Sequence, residues 1–167
     1  YCFSLILHEM SSVPLHYRIA LCMIPGVGDI TARKLVSYSG SVEAVFRESY
    51  RNLTRIPGIG ESLASAVAGH EYMAAAEREA DFVTKNNIRV YFYLDDDYPV
   101  RLRQCEDSPV TFYFRGNADI DSPMILSIVG TRHATQHGRD LCQKMVMELA
   151  QHYPKLLIVS GLAYGID

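Results

Sequence analysis

No CxxC pair and no cysteine–histidine cluster occurs in this sequence; its four cysteines, Cys2, Cys22, Cys105 and Cys142, are scattered over 167 residues. That argues against a zinc site and reads as reduced thiols of a cytosolic protein. Positive charge is not in excess either. The formal net charge of −3 gives no global attraction to nucleic acid, so any phosphate site must be local. The opening YCFSLILHEM is apolar in part but has no basic n-region and is too short to span a bilayer; it reads as an added helix or a poorly ordered tail. Nucleotide fingerprints are missing too. There is no Walker A loop, and GTRHATQHG, starting at Gly130, lacks GxGxxG spacing, with Gln151 where a ribose-binding acid would stand. No Ser–His–Asp or Cys–His pairing can be supported from spacing.

What is present suffices for one medium domain or two small ones, with 49% hydrophobic and 21% charged residues. The absence of an initiating Met and the ending inside a glycine loop read as a fragment.

An internal repeat appears at an offset of 32 residues: LCMIPGVG, Leu21–Gly28, matches LTRIPGIG, Leu53–Gly60. Ala32 and Leu35 then match Ala64 and Val67. Each copy predicts a helix, a tight Pro-Gly-aliphatic-Gly turn and a second helix. The proline ends the first helix, the glycines Gly26, Gly28, Gly58 and Gly60 permit positive φ, and the alanine allows close packing. Ser39-Gly40-Ser41 links the copies. A long helix is expected over His70–Lys85, with Met73, Ala76, Ala80 and Val83 as its packing stripe and Glu71, Glu77, Glu79 and Asp81 as its solvated face. Asn86–Asn87 ends it, giving a helical domain over residues 1–86 and a second domain over 87–167.

Ile88–Leu94 reads as a strand by its β-branched and aromatic content. Asp95, Asp96 and Asp97 read as a solvated turn, because consecutive side chains diverge and no further ligand is evident. Thr111–Arg115 is expected to be a second strand, followed by a turn at Gly116-Asn117. Met124–Val129 and Leu156–Val159 are apolar runs that each break at a glycine. Between them lies an amphipathic helix, capped by Thr135 and running to about Gln151, with Leu141, Met145 and Leu149 on one face. Strand, helix and strand in this span predict a βαβ unit with parallel strands. The loops at Gly130 and Gly161 then leave one sheet end about 5 Å apart, forming a crevice suited to a phosphate group.

The repeated turn resembles the helix-hairpin-helix motif, two copies of which form a compact SAM-like unit. In that family the glycine-flanked N–H groups hold a DNA phosphate. Here Asp29 and Glu61 follow the second glycines, and only Arg33, Lys34, Arg51 and Arg55 lie nearby, so architectural and DNA-holding roles both stay open. Nothing matches the downstream catalytic acid or lysine of a base-excision glycosylase.

SIVGTRxxTxxG at Ser127–Gly138, paired with SGLAxGID at Ser160–Asp167, resembles the DNA-processing protein A family (DprA/Smf). The segment YPxxLxxxxDxPxxFYxxG, from Tyr98 to Gly116, agrees. The resemblance implies an α/β protein, in which the double helix-hairpin-helix domain precedes a truncated Rossmann-like parallel sheet with flanking helices. It implies a cytoplasmic, non-enzymatic protein without cofactor or metal that binds single-stranded DNA, loads a RecA-type recombinase in natural transformation and recombination, and forms a homodimer when full length. The DNA-holding residues it implies are Gly130, Thr131, Arg132, Thr135, Ser160, Gly161 and Gly165. His133 and His137 read as exposed loop residues, and Tyr164 either stacks on a base or faces the core. The rival reading is an enzyme acting on a nucleotide or small phosphorylated ligand in the same crevice; its PGGxGT-type loop is not visible. A third reading makes the hairpins the main DNA-binding unit.

Overall fold

The computed structural model describes residues 13–167, so the expected N-terminal helix or tail lies outside the described residues. The chain divides into two compact units between Arg115 and Gly116.

The first unit opens with α1 (Leu15–Met23), α2 (Asp29–Ser39), α3 (Val42–Arg47), α4 (Tyr50–Leu53), α5 (Glu61–Ala68) and α6 (Met73–Lys85). Helix α1 stops because Ile24 precedes a proline and takes an extended conformation, φ −70° and ψ 120°. The chain then turns at Gly26, φ +86°, and the Val27 N–H donates to the Ile24 carbonyl at 3.0 Å. Gly28 caps α2, its carbonyl accepting from the Ala32 N–H at 2.9 Å. The second copy repeats these bonds: Gly58 sits at φ +82°, Ile59 donates to Ile56 at 3.0 Å, and Ala64 donates to Gly60 at 2.9 Å. One expectation is corrected. Only the first glycine of each turn has positive φ; Gly28 and Gly60 are extended N-caps, φ −82° and −78°. All the matched apolar positions, from Leu21, Ile24, Val27, Ala32 and Leu35 to Leu53, Ile56, Ile59, Ala64 and Val67, lie in one core.

In the linker, Gly40 ends α2 at φ +87° and the Ser41 hydroxyl accepts from the Ala44 N–H at 3.1 Å, starting α3. Helix α6 begins at Met73, three residues later than expected, after His70 takes a left-handed conformation, φ +56°. Ala76 and Val83 are its buried stripe, while Glu71, Glu77 and Asp81 are exposed. At its end, the Ile88 N–H reaches the Val83 carbonyl (2.9 Å) and the Asn87 N–H reaches that of Thr84 (3.2 Å). With Asn87 at φ +51°, this is a Schellman cap.

Two strands and a short helix complete this unit: β1 (Arg89–Phe92), α7 (Val100–Arg103) and β2 (Thr111–Phe114). The strands pair antiparallel, Arg89 opposite Phe114 and Phe92 opposite Thr111. They form a sheet of their own, separate from the parallel pair. The reason lies in the side chains: Phe92 and Val110 complete the helical core, and Tyr91 stacks on Phe112 with centroids 4.9 Å apart. The packing boundary after β2 is therefore a different line from the end of α6.

The second unit is β3 (Met124–Ile128), α8 (Gln136–His152) and β4 (Leu156–Ser160). Strands β3 and β4 are parallel, in register from Met124 opposite Leu156 to Ile128 opposite Ser160. Helix α8 turns inward a face that shares Leu149 with the expected stripe but not its other two residues. Cys142, Val146 and Leu149 are half-buried, whereas Leu141 and Met145 are exposed. Both stripes are apolar, so periodicity alone did not choose between them. The molecule is mixed α/β: a helical tandem, then small sheets with flanking helices. Among the described residues, no helix is long and apolar enough to cross a membrane.

Candidate functional site

Because Ile128 and Ser160 stand opposite each other, the loops that follow them leave the same end of the β3–β4 pair. The first loop runs into α8, where the Thr135 hydroxyl accepts from the Gly138 N–H at 3.1 Å and caps the helix. Within it, the Thr131 hydroxyl accepts from the His133 N–H at 3.2 Å, so that oxygen braces its own turn.

The two loops touch along their backbones. The Ile166 N–H donates to the Thr131 carbonyl at 3.2 Å. A Cβ on Gly165 (φ +112°) would fall 2.0 Å from the Thr131 carbonyl oxygen, and one on Gly130 would fall 2.3 Å from Ile166 Cβ. Those two glycines exist so that the loops can approach. Between the loops lies the Asp167 carboxylate: Gly130 N–H donates to its Oδ1 at 2.7 Å, and a Cβ on Gly161 would stand 3.1 Å from its Oδ2. Ser160 Oγ donates to the Asp167 carbonyl at 2.7 Å and accepts from the Leu162 N–H at 3.3 Å.

Gly130, Gly161 and Ser160 all have neighbours within the loops. The Gly130 N–H and the Ser160 hydroxyl are taken by the protein itself, and the Gly161 Cα hydrogens face a carboxylate. Arg132 is different. It is exposed, and among the described residues it has no hydrogen bond or ion pair. It lines an open depression of about 410 Å³ with Leu162, Ala163 and Tyr164. Tyr164 does not face the core; it is 92% exposed, as is Leu162, which sits at φ +54°. His133 and His137 are exposed. Sequence reasoning passed over Asp167, although it is the only acid in either glycine motif. It also passed over Arg139, which donates to the Ala134 carbonyl at 2.9 Å and stiffens the first loop.

At the hairpins, Arg51 and Arg55 are exposed, whereas the charged groups near the first turn are engaged within the unit. Asp29 Oδ1 accepts from the Val110 N–H at 2.7 Å. Arg33 donates to the Ser108 carbonyl and hydroxyl at 2.9 and 2.8 Å and lies over the Tyr93 ring, 4.4 Å from its centroid. Lys34 Nζ donates to the Pro57 carbonyl at 2.9 Å. Two cations counted as available near the first turn are thus engaged in packing the unit. Asp29 and Glu61 also stand in the first turns of their helices, where the helix dipole favours an acid. Asp95, expected in a solvated turn, instead pairs with Arg18 at 2.6 Å. No metal-ligating cluster of His, Cys, Asp or Glu occurs among the described residues.

Comparison with known proteins finds separate matches for the hairpins and for the stretch that follows them, the latter running across the Arg115–Gly116 boundary. The DNA processing protein DprA of Streptococcus pneumoniae is 38% identical over 74 residues, 44% of this chain and 25% of that protein. A DNA ligase of Thermotoga neapolitana is 39% identical over 61 residues, confined to the hairpin region, 36% of this chain and 9% of that protein. The chain therefore matches about a quarter of the DprA relative and under a tenth of the ligase. Residues 89–167 match the family model of DNA recombination-mediator protein A, and residues 19–68 ahead of them match that of the SAM-like helix-hairpin-helix tandems.

Proposed function

We propose that this chain acts in DNA recombination by binding the sugar–phosphate backbone of single-stranded DNA at the β3–β4 loops, without catalysing a reaction. The observation that carries this reading is Arg132, an exposed and unpaired guanidinium beside the 92%-exposed Tyr164 in a segment of the recombination-mediator family. A guanidinium fits phosphate in a bidentate way, and a tyrosine face accepts any base. Thr135 and the N–H groups of the first turn of α8 add donors that position a strand without reading its sequence. Affinity is then sequence-tolerant and salt-sensitive. In this reading the same surface serves to place a RecA-type recombinase on the strand during transformation, in the cytoplasm and as a homodimer.

The hairpins support the unit's architecture in this reading. Arg33 and Lys34 are spent on Ser108 and Pro57, which weighs against the tandem as the main DNA site. The test is competition between a labelled oligothymidylate and a duplex of equal length at low salt. The single strand wins in this account; equal binding to both, or none, contradicts it.

A further inference from the structure

We infer that Asp167 is a positioning residue whose carboxylate clasps the two glycine loops and thereby holds Arg132 beside Leu162 and Tyr164. Its consequence for DNA rests on the proposed function; its consequence for loop geometry does not. Three bonds converge here: Gly130 N–H to Asp167 Oδ1 at 2.7 Å, Ser160 Oγ to the Asp167 carbonyl at 2.7 Å, and Ile166 N–H to the Thr131 carbonyl at 3.2 Å. The first is charge-assisted, and such bonds are about twice as strong as neutral ones. Among the described residues no other side chain makes a hydrogen bond from one loop to the other, although the Ile166 side chain packs against Gly130. Gly130 and Gly165 admit only this close approach, since a Cβ at either would overlap the opposite loop.

The carboxylate also decides where an anion can rest. With Gly130 N–H already bound to a negative group, a phosphate is repelled from the base of the crevice. It is met instead at Arg132, which does not pair with Asp167. Asp167 thus acts through the arginine without touching the ligand.

The experiment compares Asp167→Ala, Asp167→Asn and Arg132→Ala in the full chain by amide hydrogen exchange at Gly130 and Ile166 and by anisotropy with labelled oligothymidylate. Asn keeps a carbonyl oxygen to accept the Gly130 N–H. Asp167→Ala should speed exchange at both amides about tenfold or more and weaken oligothymidylate binding about fivefold or more. Asp167→Asn should stay within about threefold of the parent in both. Arg132→Ala should weaken binding while leaving exchange unchanged. Unchanged exchange in Asp167→Ala overturns the clasp, as does tighter DNA binding, which would make the carboxylate a repelling charge only. If Asp167→Ala fails to fold, Asp167→Asn decides: rapid exchange there contradicts the clasp, and retained protection supports it. If the parent chain does not bind oligothymidylate at low salt, the DNA reading fails while the exchange data still judge the clasp.

Discussion

Arg18 carries a charge into the packed side of α1, where its side chain is 9% exposed and meets Asp95 at 2.6 Å. Its guanidinium also lies 5.2 Å from the centroid of the Phe92 ring. A charge so far from water needs its partner, and removing one member of a buried pair costs about 3–5 kcal/mol. Asp95 keeps a 25% exposed side chain, so water compensates in part. Asp95→Ala should therefore lower unfolding stability by about 3 kcal/mol, the low end of that range, read from the midpoint of urea denaturation. Asp95→Asn, which retains an acceptor, should cost less. A midpoint unchanged in both would mean that Arg18 is solvated. Arg132 has no ion-pair partner among the described residues, so Arg132→Ala should leave the midpoint within about 0.5 kcal/mol of the parent.

At the scale of the element, the two turns differ within themselves. Gly26 and Gly58 occupy a left-handed conformation that β-branched residues avoid, whereas Gly28 and Gly60 are extended caps with nothing within 4 Å of an added Cβ. Gly26→Val should cost about 1–3 kcal/mol from backbone strain alone. Gly28→Ser should remain within about 0.5 kcal/mol of the parent, because serine is at least as good an N-cap as glycine. Equal damage at both positions would show that the second glycine is needed for something other than capping. The charge test belongs here too. Arg33→Ala combined with Lys34→Ala should destabilise the helical unit, by severing its bonds to Ser108 and Pro57, while leaving the DNA affinity of the folded fraction within about twofold. A large loss of affinity with stability intact would move the DNA site to the hairpins.

Across the whole molecule, legibility in the sequence followed the range of the interaction. The hairpin repeat could be read in advance because proline, glycine and alanine act within a few residues, and the βαβ unit because each of its strands and its helix has its own period. The antiparallel β1–β2 pair was hidden: what places it against the helices is the burial of Phe92 and Val110 in a core built from distant residues. Arg18 and Asp95 lie 77 positions apart, and Asp29 and Val110 lie 81 apart, so no local pattern announces either contact. At the crevice, the motif residues were visible but their roles were not. Why Gly130 must be a glycine became visible only with Ile166 and Asp167, the latter 37 positions on. Arg132 was legible as a candidate, and its lack of any ion-pair partner among the described residues needed the fold.

The central claim is that Arg132 meets phosphate. The measurement that tests it most directly is oligothymidylate affinity as a function of salt concentration, for the parent chain and Arg132→Ala. One lost phosphate contact on a single strand should reduce the slope of log affinity against log salt by about 0.7, alike for oligonucleotides of different sequence. An unchanged slope and unchanged affinity in a folded Arg132→Ala chain would contradict the account.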